Sequence, residues 1–337
     1  SFAAVLGAVA CQENIVSVFQ RRVPFQNGNP RSTFITPSGT LRLIQTLELK
    51  DAVSTTYTQF AELSSMLVTP NGDEILATND DGLFVRMELK ATFDDQFDVS
   101  EAIISPMRDP QGDRITEEDD LVDDRLSMFA RGLTIDGTYR GEGRGELFVS
   151  YTEGRRMLKF PIGVDSRTSA EVDISLVLDE CEYAPQAIDK MRPDRLLPAY
   201  LLMICDEPTK RGGSIYPGFA YDGEEAPIRF EVESDGGFAP VDMAGLSDGS
   251  LMILFRGIMD ESSMRIGLVS SRDLSLAMRG RGGAVTPQTI LEAAESDGFN
   301  VGRTSGLAIR EDDGKVFVYI VNDGYPTTFL TALEWIS

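Results

Sequence analysis

The sequence predicts an all-β chain folded as a β-propeller of five to six blades of antiparallel strands, six being the favoured count. Three observations carry that expectation. First, residues 239–256, APVDMAGLSDGSLMILFR, read as strand, tight turn, strand. Met243, Leu246, Leu251, Ile253 and Phe255 give the apolar positions, and Asp248-Gly249 gives a turn that needs positive φ. Second, the unit recurs at 63–80 with Asn71-Gly72, at 127–151 with Asp136-Gly137, at 186–207 with Arg192-Pro193-Asp194 in the turn, and at 306–323 with Asp313-Gly314. Third, aligning Met66, Met128, Ala187, Met243 and Gly306 leaves spacings of 62, 59, 56 and 63 by subtraction of those numbers. A near-constant period in an all-strand pattern means repeated sheets, and radial repetition of sheets is a propeller. A large β-sandwich with coincidental hairpins is the competing reading.

In chain order, residues 1–13 form an arm or the remnant of a processed signal, and 14–337 form one propeller domain. The apolar run at 1–11 is too short to span a bilayer. It reads as a mature N-terminus exposed by processing, with Phe2, Val5 and Leu6 available to a partner. Segments 13–25 and 40–49 are strands. Residues 63–89 make the first clear blade core, and 91–122 read as a polar insertion. That insertion holds Asp94, Asp95 and Asp98, and an acidic run continues from Glu117 to Asp124. Such a run is ordinarily a solvated loop; a Ca²⁺ site is the alternative, although the DxDxDG spacing is missing.

Residues 126–161 are the second clear blade, and their GTYRGEGRGE loop leads into a strand rather than the helix a phosphate cradle requires. A strand follows at 170–177, helical character at 185–195 and a buried strand at 198–205. The segment GGSIYPGFAYDG at 212–223 reads as an exposed loop. Its Tyr216, Phe219 and Tyr221 form a candidate partner face, or else cover a blade edge. After the 239–256 hairpin come apolar segments at 264–268 and 274–278 and a short helical candidate at 290–294. The last strand, 327–336, carries the single tryptophan, Trp335, and closes the ring against an N-terminal strand.

Composition narrows the function. With 31 basic and 54 acidic residues the formal charge is −23. Nucleic acid and anionic membrane surfaces repel such a chain. There is no histidine, which removes His-based triads, dyads and His-ligated metals and leaves carboxylate, Lys, Tyr and Ser chemistry. Cys181 and Cys205 flank one proposed blade. They either pair in an oxidising compartment or are two buried thiols.

Five stretches together carry a family resemblance: LSSMLVTPNGDEILATNDDGLF; DRLSMFARGL followed by GELFVSYTEGRRMLKF; APQAIDKMRPDRLLPAYLLMICDEP; FAPVDMAGLSDGSLMILFR; and TSGLAIREDDGKVFVYIVNDGY. In order and spacing they resemble the "esterase-like activity of phytase" family of bacterial propellers, over about four fifths of the chain. The resemblance implies carboxylates just before the Gly-Leu or Ala-Leu of each blade, facing the central channel. At those positions this chain has Leu126, Gln186 and Ser305, and Asp242 alone stays acidic. Asp80, Asp206, Glu207 and Asp323 persist at strand ends, as does Arg256.

The expectation is therefore a non-catalytic, extracytoplasmic (periplasmic) propeller without a cofactor. It would serve as an accessory subunit to other protein subunits, in a setting that includes membrane-embedded partners, with no transmembrane span of its own. The alternative is a calcium-dependent phosphoester or carboxylester hydrolase. In it Asp242, Glu207 and Arg256 would be catalytic and Asp206, Asp242 and Asp323 would hold Ca²⁺.

Overall fold

The structure is a computed structural model that describes residues 14–28, 32–54, 58–115, 129–192, 200–223 and 225–337. The arm at 1–13, with Phe2, Val5 and Leu6, the acidic run from Glu117 to Asp124, and Leu126 and Met128 all lie outside the described residues.

The strands group into five four-stranded antiparallel blades. The first is β4 (Leu63–Val68), β5 (Glu74–Asn79), β6 (Leu83–Ala91) and β7 (Phe97–Pro106). The second is β8 (Ala130–Ile135), β9 (Leu147–Tyr151), β10 (Arg156–Phe160) and β11 (Ala170–Val172). The third is β12 (Ala187–Lys190), β13 (Leu201–Ile204), β14 (Ile215–Tyr221) and β15 (Ile228–Glu233). The fourth is β16 (Phe238–Gly245), β17 (Leu251–Gly257), β18 (Ser263–Val269) and β19 (Gln288–Ala294). The fifth is β20 (Thr304–Asp312), β21 (Lys315–Asn322), β22 (Thr328–Ile336) and β3 (Gly39–Asp51). The expected six blades are thus corrected to five among the described residues. The N-terminal strands add no blade of their own, because β3 completes the fifth.

Closure is double. β22 pairs along β3, and β1 (Asn14–Val23) pairs with β3 through Val18–Val23 and with β7 through Asn14–Ser17. One strand therefore stitches the last blade to the first and leaves neither with an open edge there.

Side chains and backbone also tie the inner strands into a ring. Ser65 Oγ donates to Leu133 O at 3.2 Å, and Lys190 N donates to Thr134 Oγ1 at 2.7 Å. The Gly245 N–H meets Asp189, Leu307 N donates to Asp242 Oδ2 at 2.7 Å, and Ser305 Oγ donates to Leu63 O at 2.7 Å. Two glycines permit this closeness. A Cβ on Gly306 would lie 2.2 Å from Ser64 O, and one on Gly132 would lie 2.4 Å from Gln186 O. Between blades sit apolar layers such as Leu47, Met66, Ile75, Val85 and Phe317, all nearly excluded from water.

Several sequence readings change. Residues 91–122 are not simply an insertion, since Phe97–Pro106 is the outer strand of the first blade. Its exposed and buried positions interleave too irregularly to read as a strand from sequence. The helical readings at 185–195 and 290–294 give way to β12 and β19, where partner strands override weak local preference. Segment 170–177 is strand only over Ala170–Val172, and Ser175–Leu178 is a helical turn. The 274–278 segment lies in a helix, Ser271–Met278, whose first turn is capped by Ser270 accepting from Asp273 N.

The supposed loop 212–223 is largely β14. Tyr216 and Phe219 are buried in the third blade and only Tyr221 is partly exposed, so the first two offer no contact to a partner. Cys181 and Cys205 form a disulfide with Cα atoms 5.4 Å apart, which decides between the two readings of that pair. No helix among the described residues is long and apolar enough to cross a membrane.

Candidate functional site at the channel mouth

Each inner strand begins, and each second strand ends, at the same end of the channel. Charged side chains from all but one of those second-strand ends collect there. Asp80 follows β5, Asp206 and Glu207 follow β13, Arg256 lies near the end of β17, and Asp323 follows β21. The inner strands add Arg131, and the connections before them add Glu62, Gln186 and Arg303.

Arg131 sits where the pairing of β8 with β9 slips, between Ala130 and Gly132, and Ser305 sits at the matching slip in β20. A bulge of this kind re-aims a side chain out of the regular alternation. The residue before the Gly-Leu of the second blade is thus Arg131, not the expected Leu126.

The charges are interlocked. Arg131 Nη2 pairs with Asp80 Oδ2 at 2.5 Å, and Arg131 Nη1 pairs with Asp323 Oδ2 at 2.9 Å. Arg303 reaches the same Asp323 oxygen at 2.5 Å and Glu261 at 2.6 Å. Burial pushes Asp80 up to about 7, against the pull of Arg131, with Asp323 and Glu62 adding to the rise. Burial also raises Asp323, while Arg303, Arg131 and Arg256 oppose it. Glu62 rises through burial and through Asp81 and Asp323.

Arg256 differs from the other two arginines. It has no hydrogen bond or ion pair among the described residues, and its Nη1 is shut off from solvent with no partner. Burial, with Arg303 and Arg131 nearby, brings it down to about 10. It lines a cavity of about 230 Å³ together with Gln186, Asp206, Glu207, Ile258 and Glu261. Asp206 is carried up to about 6, chiefly by burial, with Glu207 adding to the rise. Its Oδ2 accepts from Gln186 Nε2 at 3.4 Å, while its buried Oδ1 has no partner.

Asp242 lies apart from this mouth. It is fully buried inside the channel, and accepts from Ser65 Oγ at 3.0 Å, Met243 N at 3.0 Å and Leu307 N at 2.7 Å. A carboxyl so engaged locks blades four, five and one together. The expected grouping is therefore corrected: Asp206 and Arg256 share a cavity with the exposed Glu207, whereas Asp242 does not join them and Asp323 is engaged by two arginines. Among the described residues no three His, Cys, Asp or Glu side chains are grouped to hold a metal ion.

Sequence reasoning missed Arg131 and Arg303. Arg131 precedes a Gly-Leu pair, which was the available signal; for Arg303, two residues ahead of Ser305, there was none.

The opposite end of the channel has a smaller cavity of about 80 Å³, whose lining includes Asp189, Lys190 and Arg192. Burial raises Asp189 to about 7, against its Gly245 hydrogen bond and Arg192.

No family model and no curated protein matches the chain. Among solved structures it is similar to the tail fiber of a Staphylococcus aureus phage, at 12% identity and TM-score 0.43, over 93% of this chain and 55% of that one. The chain thus spans about half the length of that fiber. It is also similar to an alpha-L-arabinofuranosidase from Clostridium thermocellum, at 8% identity and TM-score 0.41, over 86% of this chain and 80% of that one. A third likeness is to a gluconolactonase from Xanthomonas campestris, at 10% identity and TM-score 0.41, over 93% and 97%. At such identities and TM-scores the likeness carries nothing further to this chain.

Proposed function

We propose that this chain is a non-catalytic, extracytoplasmic propeller that acts as an interaction subunit, docking another protein at the channel mouth. The observation that carries this is the rim of that mouth. The loop after β17 presents Ile258 at 50% and Met259 at 94% exposure, and Tyr325, just beyond Asp323, is 50% exposed. Exposed apolar side chains ringed by charge are the composition of a protein-binding face. Asp242, the inner carboxylate that a hydrolase would need, acts instead as a tie between blades. The Cys181–Cys205 disulfide supports an oxidising compartment.

The test is to replace both rim residues, Ile258→Asp with Met259→Asp, and follow the native assembly by size. A stoichiometric complex that the double variant no longer forms supports the reading; an unchanged complex sinks this surface.

One observation favours a second reading, ester hydrolysis: Asp206 and Arg256 line one cavity, a carboxyl raised by burial to about 6 beside a cation. Hydrolysis of a simple carboxylester or phosphoester that Arg256→Gln abolishes would favour it; equal rates in the two proteins would exclude it.

A further inference from the structure

We infer that the cavity beside Arg256 is a binding site for a small hydroxylated carboxylic acid, with the guanidinium holding the carboxylate and Asp206 with Gln186 receiving the hydroxyls. The inference stands independently of the docking role.

Arg256 supplies the first half. A guanidinium with a buried, unpartnered nitrogen is costly to keep unless something arrives to pair with it. Asp80, Asp323 and Glu261 are taken by Arg131 and Arg303, which leaves Arg256 as the arginine of this cluster without a hydrogen-bonded or ion-paired partner among the described residues. It opens onto an existing cavity of about 230 Å³, a volume suited to a ligand smaller than a drug. The planar fork of arginine matches the two oxygens of a carboxylate.

Charge selects among anions. One uncommitted cation faces Asp206, Glu207 and Glu261 across the same cavity. A monoanion leaves that balance tolerable, whereas a phosphate dianion adds repulsion from those three carboxylates. The overall charge of −23 does little to a ligand already seated, because exposed charges beyond a Debye length of about 8–10 Å are largely screened.

Asp206 supplies the second half. Its Oδ1 is buried, has no hydrogen-bond partner, and belongs to a residue lining the same cavity. An acceptor left without a donor beside an unpartnered cation describes a ligand that carries a carboxylate and, nearby, hydroxyl groups. Gln186 lines the cavity and holds Asp206 Oδ2.

The probes are D-glycerate and D-glucuronate, titrated calorimetrically into the purified protein, with acetate, glycerol and inorganic phosphate as controls. Both hydroxy acids should bind saturably, more tightly than acetate, with glycerol silent. Arg256→Gln should weaken binding by about 10–100-fold, the range for a charge-assisted hydrogen bond. Arg256→Lys should keep part of the affinity, and Asp206→Asn should weaken the hydroxy acids while leaving acetate unchanged.

Melting of the unliganded variants separates loss of the site from loss of the fold. Arg256→Gln should melt no lower than the parent, because it removes an unpaired buried charge; a fall in melting temperature would make Arg256 a structural residue and overturn the assignment. Absence of saturable binding by either acid, acetate binding as tightly as glycerate, or phosphate binding more tightly than both would each overturn it as well.

Discussion

Arg131 Nη1 lies 2.9 Å from Asp323 Oδ2, a contact between the second and fifth blades across 192 residues of sequence. The same guanidinium holds Asp80 of the first blade at 2.5 Å. One side chain on an inner-strand bulge thus joins three blades at the mouth of the channel. Its removal should be felt as a loss of closure. Arg131→Met leaves two buried carboxylates without their shared cation and should lower stability by about 3–5 kcal/mol. Urea unfolding followed by far-UV circular dichroism measures this; a change under about 1 kcal/mol, the worth of an exposed pair, would mean the pair is effectively solvated.

The pH dependence follows from Asp80. Its folded value, about 7, lies above the ordinary 3.8, so between those values the folded state holds a proton that the unfolded state has released. Stability should therefore fall as pH rises from about 4 to about 7, and level off beyond. Asp206, at about 6, contributes with the same sign. Unfolding free energies at pH 5, 6, 7 and 8 test this, with Asp80→Asn expected to flatten the slope. A parent protein that gains stability across that window would contradict the cluster as described.

The interblade spacing is tested at Gly306. Alanine there would bring its Cβ to 2.2 Å from Ser64 O, a backbone atom that cannot swing away. Gly306→Ala should cost at least about 1–3 kcal/mol, the range for overpacking, whereas Gly314→Ala, whose Cβ meets nothing within 4 Å, should cost only the smaller strain of its positive φ. Equal losses at the two sites would show that the inner strands yield.

The Cys181–Cys205 bridge closes a loop over 24 residues of sequence separation. Reduction, or Cys181→Ala with Cys205→Ala, should lower stability by about 2–4 kcal/mol. Thiol labelling of the native protein checks the bridge directly. Two reactive thiols at these positions after unfolding without reductant would refute it.

What could be read in advance was local. Gly72, Gly137, Gly249 and Gly314 all take positive φ; Asp313-Gly314 is a two-residue hairpin turn, whereas Asp136-Gly137 opens a longer loop that ends at β9. Their period gave the propeller. The blade count was harder, because β3 lies far from β22 in sequence and nothing local says that it completes the fifth blade. The stretch around Tyr216 misled through its glycines and proline. Pro217 sits in β14, where its carbonyl accepts from Cys205 N, and Gly218 stands where a Cβ would strike the Phe230 ring. At the mouth, Asp206, Arg256 and Asp323 were legible as residues but not as partners. Which carboxylate meets which arginine is decided by blades that are neighbours only around the ring.

The most direct test of the central claim is the native mass of the protein, gently extracted from the cells that make it and sized with mass detection. An interaction subunit should migrate in a larger assembly of fixed stoichiometry, and Ile258→Asp with Met259→Asp should release it as a free monomer. A parent protein that already runs as a free monomer in such extracts would contradict the account.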